Sequence, residues 1–359
     1  MKKMLFVVGL GLTCILQNCS TDFDLNADFK ETPVIYALLS ASDSVHYIRI
    51  NRAFLSDEAD AITLAADPAA IYYGPELTVT LEELSGGSVI DAYLVEKVDG
   101  DTLGIPKNTD GIFASLPNVL YRFKAKLNTA HTYRITVTNT ETGITASAQT
   151  GIIDSFEIKR PDDESIFPQS VTFNPGSSYQ MRWRSGQNAK FYDLTLRFHY
   201  REANYFPEGD SFQITKSDEV EWKFETSYVA ESTTGGLTIT YDVDGTSFFN
   251  FIESSFTQVA DNYFFRFADS VQFIVDAGGQ ALYDYYLFNT ATLGLTEGQI
   301  TGTYTNVTGG LGIFSTRFHK EGKIYPFSNQ TIDSIGCGII TGEVNFAPDE
   351  TNDAFPFCE

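Results

Sequence analysis

Four cysteines and four histidines are the side chains of this sequence best suited to covalent or acid–base chemistry. Cys19 has the most informative setting. Met1-Lys2-Lys3 is basic, residues 4–16 form an apolar run broken only by Gly9, Gly11, Thr13 and Cys14, and Leu16-Gln17-Asn18 leads into Cys19. A basic start and a short apolar run make a secretory signal, well below the ~20 residues of a membrane-spanning helix. Cys14 lies inside the apolar run, so Cys19 is the thiol at the cleavage point. Loss of residues 1–18 would leave Cys19, Cys337 and Cys358. If Cys19 is modified, Cys337 and Cys358 can pair in an oxidising compartment. Their bridge would staple the C-terminus by closing a loop that chain entropy values at roughly 3 kcal/mol. Two Cys with no His close in sequence make a poor metal site.

The other chemistry-bearing residues do not fall into a catalytic pattern. No two of His46, His131, His199 and His319 lie within one helical turn, and no His-Glu-x-x-His zinc motif occurs. Each His sits in or beside a strand-like run and reads as half-buried or on the surface. There is no Gly-x-Ser-x-Gly nucleophile elbow and no Walker loop. Gly309-Gly310-Leu311-Gly312 lacks a following Lys and reads as a turn or bulge entering a strand. Asp242-Val243-Asp244-Gly245 lacks the oxygens and the Gly position of a Ca²⁺ loop and reads as a turn ahead of a helix. Carboxylate pairs for glycosidic cleavage meet in space rather than in sequence, so they remain open. The expectation is therefore no catalytic residue, no metal site and no cofactor, with the ligand-binding residues unknown.

Aromatic residues offer a further lead. Tyr72-Tyr73, Phe248-Phe249, Phe264-Phe265 and Tyr285-Tyr286 are adjacent pairs. Neighbours in a strand point to opposite faces, so one ring of each pair would leave the core unless both faces are covered. An exposed ring offers flat apolar surface to a sugar or a protein. Trp183 and Trp222 read as core.

Composition sets the frame. The formal charge of −23 repels phosphate backbones and excludes nucleic acid as a partner; loss of Lys2 and Lys3 makes the mature chain more acidic still. A hydrophobic content of 43% is ample for a core, and 29 Phe with 19 Tyr favour strands. The length suggests two domains.

Read for elements, the chain divides into a signal peptide (1–18), a polar tether (19–32), a first domain (33–152) and a second (153–359). Strands are expected at 33–39, 45–50, 76–84, 89–95, 121–127, 132–138 and 144–152, with a short alanine-rich helix at 59–66. Seven or so short strands with regular turns predict an immunoglobulin-like sandwich. The polar stretch 159–164 marks the boundary. Strands are then expected at 179–183, 191–200, 219–226, 237–243, 263–267, 271–275, 302–307, 312–318 and 338–346. Phe248, Ile252, Phe256 and Val259 predict a helix capped by Thr246 or Ser247. Residues 280–288 fit helix or strand equally. The fold class is mostly β, an immunoglobulin-like sandwich followed by a larger β-rich domain with one or two helices.

Two resemblances add to this reading. Leu16-Gln17-Asn18-Cys19 resembles the lipobox of bacterial lipoproteins, which implies an acylated Cys19 as the membrane anchor. Asn18 departs from the small residue usual before the Cys, and plain cleavage leaving a free Cys19 thiol is the alternative. Ser20-Thr21-Asp22-Phe23-Asp24 resembles the acidic export signal of Bacteroidota lipoproteins, which implies display on the cell surface, the periplasmic face being the alternative. Three segments resemble an uncharacterised family of Bacteroidota outer-membrane lipoproteins grouped as a domain of unknown function: Glu31–Tyr36 with Tyr47–Leu55, Pro117–Phe123, and Tyr304–Ser315, the most distinctive. The family implies an anchored, β-rich protein often encoded near TonB-dependent transporters and brings no catalytic residues. The functional expectation is a lipid-anchored, non-catalytic binding or accessory protein, with a glycan or protein ligand and a TonB-dependent transporter as candidate partners. A surface glycan-active enzyme and a structural or adhesive protein are the alternatives.

Overall fold

The computed structural model describes residues 31–53, 61–292 and 303–348. The signal, residues 19–30 of the tether (with Cys19) and Cys358 lie outside the described residues.

The first unit contains β1 (Pro33–Leu39), β2 (Val45–Arg52), α1 (Ala61–Ala66), α2 (Pro68–Ile71), β3 (Leu77–Ser85), β4 (Ser88–Tyr93), β5 (Glu96–Asp99), β6 (Val119–Lys124), β7 (Thr132–Asn139) and β8 (Thr145–Gly151). Strands β1-β2-β6-β5 form one layer and β4-β3-β7-β8 the other. Alternation decides what each layer buries. Ile35, Ala37, Leu39, Ile48, Ile50, Tyr121 and Phe123 face Leu81, Tyr133, Ile135, Val137 and Ala146 across a shared core. Asp67 accepts from the Ala69 backbone N–H at 2.9 Å, so the Asp67-Pro68 pair that follows α1 caps and starts α2.

The second unit contains β9 (Ile158–Arg160), β10 (Ser178–Arg184), β11 (Ala189–Phe206), β12 (Ser211–Lys223), β13 (Tyr228–Val229), β14 (Thr238–Asp244), α3 (Gly245–Ser255), β15 (Phe264–Gly279), α4 (Gln280–Thr292), β16 (Leu311–Pro326), α5 (Asn329–Cys337) and β17 (Phe346–Ala347). The inner faces of β11 and β15 carry Leu194, Leu196, Phe198, Val271, Phe273 and Val275. They are covered by the sheet β14-β10-β9 and by Phe248, Phe249 and Ile252 of α3. Trp183 of β10 is fully buried there.

Strand β16 belongs to both units. Its first half pairs in parallel with β1, from Val34↔Leu311 to Leu39↔Thr316. Its second half pairs antiparallel with β15, from Gly278↔Arg317 to Ser270↔Pro326. The order β12-β11-β15-β16-β1-β2-β6-β5 therefore runs unbroken through the molecule. Phe314 and Val307, late in the chain, are buried in the first core.

Several boundaries differ from expectation. Residues 263–267 and 271–275 fall largely within one strand, β15, because its residues are buried on both faces and the polar Asp269-Ser270 step only bulges the ladder with β11. The equivocal residues 280–288 are helical, in α4. No strand occupies 303–307. Residues 338–346 are not a strand either: the segment turns and includes a 3₁₀ turn at Gly342–Val344, and only Phe346–Ala347 pairs with β15. The chain before it forms α5, capped by Ser328 and seated by buried Thr331 and Ile335, which makes three α-helices among the described residues of this unit. Ile339 of that segment is 99% exposed.

Candidate functional site: an aromatic and acidic cleft

An open cleft of about 670 Å³ lies between the end of β12, β14 and α3. Its floor is aromatic. Trp222 and Phe251 stack at 5.5 Å and 12°, Phe224 and Tyr241 at 5.5 Å and 30°, and Trp222 meets Phe224 edge-on at 4.5 Å. Its rim is polar, with Glu225, Asp242, Asp244, Ser247, Asn250 and Ser254 exposed around it. No Lys, Arg, His or Cys lines it.

Local rules build this surface. In β14 the alternation turns Ile239 and Val243 inward and leaves Asp242 and Asp244 outside. Asp244 Oδ1 accepts from the Ser247 backbone N–H at 2.7 Å and caps α3. The helix buries Phe248, Phe249 and Ile252 and turns Ser247, Asn250, Phe251 and Ser254 to the cleft. Their i, i+3, i+4, i+7 spacing is one helix face. Burial pushes the Tyr241 phenol above its usual range. Half-buried rings beside carboxylates, amide and hydroxyls suit stacking of a flat or apolar ligand body with polar contacts at its edge.

The Asp242–Asp244 segment, expected to be a turn, is therefore strand end and helix cap. The cap is Asp244 rather than Thr246 or Ser247. Trp222 is only partly buried: it packs against the core and also lines the cleft. The signal that could have located the site was the polar helix face of α3 beside an outward carboxylate pair.

The remaining candidates are structural. His46 is buried, stacks on Phe123 at 4.7 Å and contacts the Ala125 carbonyl at 3.1 Å; burial lowers its pKa. His131 contacts buried Glu83 at 2.5 Å. Burial alone would raise the Glu83 carboxyl, but hydrogen bonds from Tyr93, His131 and Tyr133 outweigh it and hold the pKa below the usual value. His199 and His319 lie on the outer face of β11 and β16 in a network centred on Arg197, whose guanidinium reaches Glu221 at 2.8 Å, Gln272 at 2.9 Å and Glu219 at 3.2 Å. His319 Nδ1 lies 2.7 Å from Asp276, a hydrogen bond that raises its pKa. No group of three metal-ligating side chains occurs among the described residues.

Of the aromatic pairs, Tyr72-Tyr73 and Phe248-Phe249 are buried on both sides, whereas Tyr286 is 56% exposed. Cys337 closes α5. The residues 309–312 do enter a strand. Gly309 (φ +74) and Gly312 (φ +99) take left-handed conformations, and a Cβ at Gly312 would lie 2.1 Å from the Ile35 carbonyl. Asn306 brackets the turn, accepting from the Phe314 N–H at 2.9 Å and donating to its carbonyl at 2.8 Å. The most distinctive stretch of the sequence thus seats β16 on β1.

A family model described as Domain of unknown function (DUF4249) matches residues 20–318, and the chain belongs to that family. No curated protein matches the chain. Among the described residues no helix is long and apolar enough to cross a membrane.

Proposed function

We propose that this chain is a lipid-anchored, non-catalytic binding protein of the Bacteroidota outer membrane, displayed on the cell surface and serving a TonB-dependent transporter. Cys19 carries the lipid. The first sandwich is the spacer, and the second presents the cleft to a glycan or protein ligand. A Cys337–Cys358 disulfide closes the C-terminus. The observation that supports the binding reading is the cleft itself, an open surface of stacked rings with a polar rim.

Extraction of the native outer membrane in detergent, followed by purification and mass spectrometry, tests the accessory role. A stoichiometric transporter is the expected companion. Recovery of the protein alone would overturn the transporter part of the proposal.

A further inference from the structure

We propose that the end of the first sandwich from which the tether leaves is a bilayer-docking face, entered by the apolar side chains of α1 and of the loop before β6. The inference rests on the lipid-anchor reading of Cys19 but concerns different residues.

The topology fixes which end this is. Pro33 opens β1 opposite Arg52 at the close of β2, Leu77 of β3 lies opposite Asn139 of β7, and Asp99 of β5 lies opposite Val119 of β6. Glu31 is held here by the Asn139 amide at 2.8 Å and the Thr142 hydroxyl at 3.0 Å. Strand β16 enters at this end beside Val34 and leaves past Leu39 toward the second unit. The tether therefore departs from the end opposite the second sandwich. A tether of this length reaches at most ~40 Å, and as a flexible coil about 20 Å. The anchor thus holds this end next to the membrane.

That end carries exposed apolar side chains. Ile62 is 63% exposed, Leu116 66%, Ile112 50% and Phe113 51%. They belong to one structure, because the Ala114 N–H donates to the Ala65 carbonyl of α1 at 2.9 Å and Lys107 Nζ donates to the Ala114 carbonyl at 2.5 Å. Arg52 binds the α2 carbonyls of Ala69 and Ala70, which ties α2, the helix directly following α1, to the strand ends. Asp67 and Asp110 flank the patch, and the Lys107 ammonium is already engaged, so the attraction is apolar insertion rather than charge.

The test uses the mature chain with Cys19→Ser, so that no acyl chain contributes, floated with phosphatidylethanolamine–phosphatidylcholine vesicles. Measurable partitioning that survives 1 M NaCl is expected. It should fall about tenfold or more in the Ile62→Asp, Leu116→Asp double variant, since two apolar side chains are lost from the inserted face. Both substitutions are at exposed positions, so the melting temperature should hold. Absence of partitioning, partitioning abolished by salt, or partitioning indifferent to the double variant would each overturn the docking face. So would a concentration-dependent dimer that the same variant dissolves, since that assigns the face to a second copy. Mass spectrometry of the native Cys19 peptide separates the two ideas: an acylated Cys19 without vesicle binding removes only the docking face, whereas an unmodified Cys19 removes the anchor.

Discussion

The two sandwiches share one sheet yet spend their strands differently. In the first, strands of four to nine residues end close to the edge of the core, and the side chains of β1 and β2 alternate in and out. In the second, β11 runs for 18 residues, β15 for 16 and β12 for 13, farther than the layer above them covers. The end of β12 together with β14 and the helix α3 forms the cleft, and the outer face of the long strands carries the charged network around Arg197. A short-stranded sandwich makes a compact spacer; a long-stranded one makes surface. On the reading proposed above, ligand contact falls to the second unit and distance-keeping to the first.

The largest expected effect comes from breaking the seam between the units. Gly312→Ala puts a Cβ against the Ile35 carbonyl at a positive φ, and should cost about 3 kcal/mol or more. Calorimetry should show one unfolding transition for the parent and two for the variant. A single, barely shifted transition would mean that the parallel β1–β16 pairing does not couple the sandwiches. Next in size is the proposed Cys337–Cys358 bridge. Thiol labelling without reductant should find both blocked, and Cys337→Ser should lower stability by roughly 3 kcal/mol. Free thiols at both positions would remove it.

A smaller effect belongs to the first core. Glu83→Gln leaves Tyr93, His131 and Tyr133 without their shared acceptor charge and should cost about 1–3 kcal/mol. Because the folded pKa of Glu83 is lowered, its contribution is present above the ordinary carboxylate pKa and is lost as pH falls through the folded value. Denaturant titrations of parent and variant should therefore converge in acid. The smallest effect is on the outer face of the second sheet. The pKa of His319 is raised by Asp276, so its contribution is full below the ordinary His pKa and disappears as pH rises through the folded value. His319→Ala should destabilise at pH 5.5 and be neutral at pH 8.5, and equal loss at both would assign it a packing role.

Sequence reasoning reached furthest where a rule is local. Apolar and β-branched runs at 33–39, 45–50 and 132–138 located three strands of the first core, and Gly309 with Gly312 announced a turn into a strand. Residues 338–346 misled because Ile339-Ile340 and Val344 resemble a strand by hydropathy, while Ser328 and Thr331 had already committed the preceding chain to α5. The cleft was half legible. Asp242, Asp244 and Trp222 each drew notice, but their meeting depends on the β10–β14 pairing and on how α3 lies over β12, contacts distant in sequence. The sharing of β16 between units was not legible, since nothing local distinguishes a strand that changes partners halfway.

The most direct test is a binding array of surface polysaccharides, oligosaccharides and peptides probed with the mature chain and with Trp222→Ala and Asp242→Asn variants. The account predicts a ligand that binds the parent, loses roughly tenfold or more affinity in Trp222→Ala, and is left chemically unchanged on incubation. Binding unaffected by either substitution, or turnover of the ligand abolished by Asp242→Asn, would contradict it.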